Sequence, residues 1–74
     1  METFLDVYVS PDGEKASGIF QKLLAFGFKP TIGDHDFVYY WKRLVNLDEE
    51  IDFVDNIQAA LKGSGALLRF VTIR

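Results

Sequence analysis

The chain has no cysteine, which excludes a disulfide framework, a CxxC redox pair, a thiolate nucleophile and a cysteine-ligated zinc site together. It has a single histidine, His35, so imidazole chemistry is confined to one position. No apolar run approaches the roughly 18 to 20 residues that a membrane span needs, and the basic-then-apolar pattern of a signal peptide is missing from the N-terminus. A cytoplasmic protein is the expectation. Basic charge is also scarce: eight Lys and Arg stand against eleven Asp and Glu, so no field is present to gather nucleic acid or anionic lipid.

What is present is hydrophobic and aromatic. A hydrophobic content of 49% rules out disorder. Seventy-four residues make one domain spanning 1–74, and a chain of that length buries only about 60% of the surface its unfolded form exposes. Self-association would add to a narrow stability margin.

Thr3 to Ser10 places Leu5, Val7 and Val9 on one face and Phe4, Asp6, Tyr8 and Ser10 on the other, the period of a half-buried strand. Ser10-Pro11-Asp12-Gly13-Glu14 supplies a turn, N-cap candidates in Ser10 and Asp12, and acids suited to a helix N-terminus. The helix that follows offers Ala16, Ile19, Phe20 and Leu23 to a sheet. It ends at Gly27, with Phe28 positioned for the apolar contact of a C-terminal cap. Gly18 inside it costs about 1 kcal/mol relative to alanine, which points to close packing.

Phe28 to Ile32, with Lys29 and Pro30, reads as a short edge strand. Gly33-Asp34-His35-Asp36 reads as a hairpin turn. It feeds Phe37-Val38-Tyr39-Tyr40-Trp41-Lys42, a β-rich stretch without Gly or Pro that reads as a central strand. Asn46-Leu47-Asp48-Glu49 has the form of a capping box. It opens a second helix with Ile51, Val54, Ile57 and Leu61 as the apolar stripe and Gly63-Ser64-Gly65 as the stop. Ala66 to Arg74 is a last strand.

The order β-α-β-β-α-β predicts an α+β, ferredoxin-like split β-α-β plait: a four-stranded antiparallel sheet with two helices on one face. The expected spatial order is fourth, first, third, second strand. If 28–36 is only loop, the alternative is a three-stranded β-α-β-α-β arrangement.

In such a fold the face without helices should be polar if it meets water. Here it receives Phe4, Tyr8, Leu67, Val71 and Ile73, with Asp6 and Arg69 placed to pair. The aromatic strand adds Phe37, Tyr39 and Trp41 in one register, or Val38, Tyr40 and Lys42 in the other, and the first is the expectation. A large exposed apolar patch marks a contact surface. The expected interface is therefore Phe4, Tyr8, Phe37, Tyr39, Trp41, Arg69, Val71 and Ile73, joining a second copy or another protein.

Other chemistry finds less support. His35 between Asp34 and Asp36 is better read as a turn than as a metal or catalytic site, since neighbouring turn residues point different ways. The acids from Asp48 to Asp55 lack the spacing of a calcium loop. Ser10 to Glu14 has one glycine and two acids, which would repel a phosphate. Neither a catalytic residue nor a cofactor is expected. Aromatics on an open sheet resemble the stacking platform of RNA-recognition modules, but the basic rim and the signature run of that family are missing. Single-stranded nucleic acid stays an alternative partner.

Val7-Tyr8-Val9-Ser10-Pro11-Asp12-Gly13, followed by Ile19, Leu23 and Gly27, resembles the opening of ACT-type regulatory domains. The resemblance covers the first third of the chain. Lys15 departs from it, standing where those domains usually carry an aliphatic residue. The resemblance implies paired domains that bind a small ligand where the first loop meets a neighbour. Acylphosphatase-like plaits fit less well, because that loop lacks their arginine and glycine-rich cradle.

Overall fold

The computed structural model describes residues 1–74. The chain forms β1 (Glu2–Tyr8), α1 (Ala16–Ala25), β2 (Lys29–Pro30), β3 (Phe37–Tyr40), α2 (Leu47–Ala60) and β4 (Leu67–Ile73). The result is a small α+β domain with one four-stranded antiparallel sheet, in the order β2-β3-β1-β4. β1 lies between β3 and β4, pairing Leu5 with Phe37 on one side and with Phe70 on the other. The edge strand at β2 is real but shorter than its sequence suggested. Only Lys29 and Pro30 pair, opposite Val38 and Phe37.

Both helices pack on one sheet face. Ile19 and Leu23 of α1 and Ile57 and Leu61 of α2 share a single buried cluster with Leu5, Phe28 and Phe37. Alternation along a strand then assigns Leu5, Phe37 and Phe70 to the helix side and Phe4, Val38 and Val71 to the other.

The end of α1 follows from its glycine. Gly27 has φ +99°, its N–H donates to the Leu24 carbonyl at 3.0 Å, and the Phe28 N–H donates to the Leu23 carbonyl at 3.2 Å. These are the two bonds of a Schellman cap, sealed by burial of Phe28 against Leu23. The start of α1 differs from expectation. Neither Ser10 nor Asp12 caps it; the helix begins at Ala16 behind Lys15, which makes no side-chain cap bond. Residues 10–13 form a separate turn, closed by Gly13 N–H to the Ser10 carbonyl at 3.1 Å. The Glu14 N–H donates to the Ser64 carbonyl at 2.9 Å, tying this turn to the loop before β4, and Lys15 is extended (φ −59°, ψ 141°) ahead of the helix.

α2 starts as its sequence indicates, with Asn46 Oδ1 accepting from the Glu49 N–H at 2.9 Å. Its buried stripe is rotated relative to expectation: Ile57 and Leu61 are buried, but Glu50 and Phe53 turn inward where Ile51 and Val54 were expected. Phe53 is drawn into an aromatic cluster with Phe28, Tyr39 and Trp41, at ring separations of 5.7, 4.5 and 5.0 Å. Glu50 tolerates burial because Arg74 donates to Oε2 at 2.8 Å while also binding the Val45 carbonyl.

Gly18 does not mark helix-to-sheet packing. A Cβ there would meet only the end of the Glu14 side chain, 2.5 Å away.

Candidate functional site

The helix-free sheet face is built in rows set by the strand register. Tyr40, Glu2 and Ile73 form one row, and Val38, Phe4 and Val71 the next. Asp6 and Arg69 form the third, and Tyr8 with Leu67 the fourth. The second row is apolar across β3, β1 and β4 and is continued on β2 by Lys29. Tyr8 and Tyr40 (each 57% exposed), Leu67 (68%) and Ile73 (52%) stand at its margins with most of their area in solvent.

The third row is a polar belt. Asp6 is buried, and its carboxylate meets His35 Nδ1 at 3.1 Å, the Asp36 N–H at 3.3 Å and Arg69 Nη1 at 3.9 Å. The expected pairing of Asp6 with Arg69 is thus present, at long range. His35 also stacks on Phe4, with ring centroids 4.8 Å apart. The loop 31–36 is therefore folded onto this face instead of projecting as a free hairpin, closed at its base by Thr31 N–H to the Asp36 carbonyl at 3.0 Å. His35 and Asp36 both serve as structural partners of β1: Asp36 Oδ2 accepts from the Val7 N–H at 3.0 Å, beyond the point where β3 ends.

Five of the eight expected interface residues, Phe4, Tyr8, Arg69, Val71 and Ile73, do share the helix-free face. Phe37, Tyr39 and Trp41 do not. Phe37 belongs to the buried cluster, Tyr39 packs against it, and Trp41 lies edge-on to Phe53 of α2. The opposite register holds because each of the three finds a specific seat on the helix side. Phe37 sits beside Leu5 and Phe20. Tyr39 lies over Gly27, where a Cβ would come within 3.0 Å of its ring. The Trp41 indole N–H donates to Thr3 Oγ1 at 2.8 Å. Val38 and Tyr40 take their place on the helix-free face, where Val38 is buried and Tyr40 exposed. The alternation of the stretch permitted both registers, and His35 gave no sequence signal of its role beneath Phe4.

A second feature lies at the other side of the sheet. An apolar groove of about 410 Å³ opens between α1 and the ends of β1 and β3, bounded by Val7, Val9, Ala16 and Phe20 with Asp36 as its polar residue. Val9 and Ala16 flank the 10–15 connection, which itself contributes no lining residue. No group of three or more His, Asp or Glu side chains is placed to hold a metal ion, and no helix is long and apolar enough to cross a membrane.

Comparison with protein-family models, with curated proteins and with solved structures finds no match to this chain.

Proposed function

We propose that this is a non-enzymatic cytoplasmic domain with a ferredoxin-like plait, whose role is to self-associate or to bind a protein partner through its helix-free sheet face. The strand order and the helices sharing one face support the plait. The observation that carries the interface is the set of exposed side chains Tyr8, Tyr40, Leu67 and Ile73 around the half-buried Phe4 and Val71, while Val38 in the same row is itself buried. An antiparallel sheet facing water alternates toward polar residues on that side, and here Glu2, Lys29 and the Asp6–Arg69 belt with His35 do so while the remaining positions are apolar or tyrosine. Tyrosines at a margin suit such a surface, since each brings a large apolar ring and a polar tip.

The test combines equilibrium sedimentation with solvent accessibility of the Tyr8 and Tyr40 rings, measured by relaxation from a soluble paramagnet. The expected result is an assembly in which both rings are shielded, and loss of that shielding in the Tyr8→Glu, Tyr40→Glu double variant. A protein whose rings stay fully accessible at every concentration, alone and in cell extract, would sink the proposal.

The groove beside the first loop favours a second reading, an ACT-like sensor of a small, largely apolar ligand. A thermal-shift screen of small metabolites addresses it. The reading requires at least one compound that raises the melting temperature and loses its effect in Val9→Asp.

A further inference from the structure

The two edges of the sheet are unequal. β2 exposes only two residues, one of them Pro30, and Lys29 lies 6.0 Å from the Tyr40 ring centroid. A short strand carrying Pro and Lys is a protected edge. β4 at the other edge is seven residues long, Leu67-Leu68-Arg69-Phe70-Val71-Thr72-Ile73, with no proline, one charge and an unbroken register against β1. It has none of those protections.

The direction of its free backbone groups follows from β1. Met1 accepts from the Trp41 N–H, and the Val7 N–H donates to Asp36, so odd-numbered residues of β1 aim their backbone toward β3. Even-numbered ones therefore bond β4, which makes Phe4–Val71 and Asp6–Arg69 hydrogen-bonded pairs. Leu68, Phe70 and Thr72 consequently turn their N–H and C=O groups outward from the sheet.

The flank of this edge is apolar as well. Because the α2 stripe is rotated, Leu47 (60% exposed) and Ile51 (47%) are left outside the core. With Val54 and Thr72 they line a groove of about 200 Å³ between α2 and β4. Glu50 lines it too, and its Oε1 is the buried side-chain atom without a hydrogen-bond partner. A strand added at β4 would place alternate side chains against this groove and the rest beside Leu67, Val71 and Ile73.

We infer that β4 pairs antiparallel with β4 of a second copy about a two-fold axis at Phe70, giving a continuous eight-stranded sheet. Centred there, Leu68 exchanges bonds with Thr72 of the second copy, Phe70 meets its own counterpart, and all seven residues pair. The charge pattern selects this register. Arg69 falls opposite Val71 of the second copy, whereas centring on Arg69 would oppose two guanidinium groups. The strand is thus complementary to itself in length, hydrogen bonding and charge, which is what a two-fold dimer requires. The inference goes beyond the helix-free face and does not depend on it.

Amide hydrogen exchange, followed by NMR from micromolar to millimolar protein alongside equilibrium sedimentation, tests it. The expected result is a dimer in which the amides of Leu68, Phe70 and Thr72 gain protection with concentration, while those of Arg69 and Val71 are protected throughout. Ile51→Lys, altered outside the core, is expected to weaken association about tenfold or more. A monomer across the range, a dimer in which those three amides still exchange freely, or unchanged association of Ile51→Lys would overturn it. The Tyr8 and Tyr40 rings report the helix-free face and these amides report the edge, so either surface can fail alone.

Discussion

The indole N–H of Trp41 donates to Thr3 Oγ1 at 2.8 Å, and the same hydroxyl lies 2.8 Å from that of Thr72. One buried side chain on β1 thus joins the strand on either side of it, beneath α2. Thr3→Val keeps the shape and removes the oxygen, leaving an indole N–H and a threonine hydroxyl without their partner. Burying such groups unsatisfied costs about 1–3 kcal/mol. Urea denaturation followed by far-ultraviolet circular dichroism is expected to show that loss. Combined with Trp41→Phe, the loss is expected to be less than additive, because the two residues act through one bond.

Two glycines, one inside α1 and one just beyond its end, predict opposite outcomes. At Gly27 the backbone is left-handed and Tyr39 lies where a Cβ would go. Gly27→Ala is expected to lower stability by about 1–2 kcal/mol from backbone strain alone. At Gly18 the obstacle is the far end of Glu14, a flexible, half-buried side chain that also reaches Lys22 at 2.8 Å. Gly18→Ala is expected to raise stability by up to about 1 kcal/mol through helix propensity. Thermal melts of the two variants on either side of the parent protein would bear this out.

Asn46 holds the first turn of α2 through its bond from the Glu49 N–H. Asn46→Ala is expected to cost about 0.5–2 kcal/mol, and Asn46→Asp much less, since aspartate caps equally well. Chemical denaturation of both variants distinguishes loss of a cap from loss of a surface amide.

Glu49 also pairs with Arg43, through two guanidinium-to-carboxylate bonds of which the longer is 3.3 Å. That bonding holds the Glu49 carboxyl below its ordinary value. A carboxyl depressed in the folded state contributes stability that is present above the unfolded value and lost as pH falls through the lower folded one. Both groups are exposed, so the effect on stability is small. The titration itself is the better readout: in Arg43→Met, the carboxyl carbon of Glu49 is expected to titrate closer to an ordinary glutamate by NMR. An unchanged midpoint would remove Arg43 as the cause.

The parts legible in the sequence are those decided within a few residues. The cap at Asn46 and the stop at Gly27 are local chemistry, and both are found where Asn and Gly stand. The first helix starts late, behind an extended Lys15, and the preceding Glu14 amide meets Ser64, a contact distant in sequence that no short window contains. The α2 stripe turned for a similar reason. A glutamate at position 50 looks outward until Arg74 is known to lie beside it. In the candidate site, β1 and β4 alternate clearly enough to place Phe4, Tyr8, Arg69, Val71 and Ile73. The aromatic strand does not, because Phe37, Tyr39 and Trp41 are no more apolar in pattern than Val38 and Tyr40. The hydroxyl of Thr3 and the bare backbone of Gly27 decided which set went inside.

The tie between Gly13-Glu14 and Ser64 also governs where the chain can be opened. A Cβ on Gly13 would lie 2.2 Å from the Ser64 oxygen, so the first loop and the loop before β4 are fitted against each other backbone to backbone. Residues added at Gly13 or beside Ser64 would break that fit. Ile32 is fully exposed and nothing lies within 4 Å of a Cβ at Gly33. A fluorescent tag, an epitope or new termini belong between 32 and 34, where the chain can be cut or lengthened with His35 and Asp36 still seated on β1.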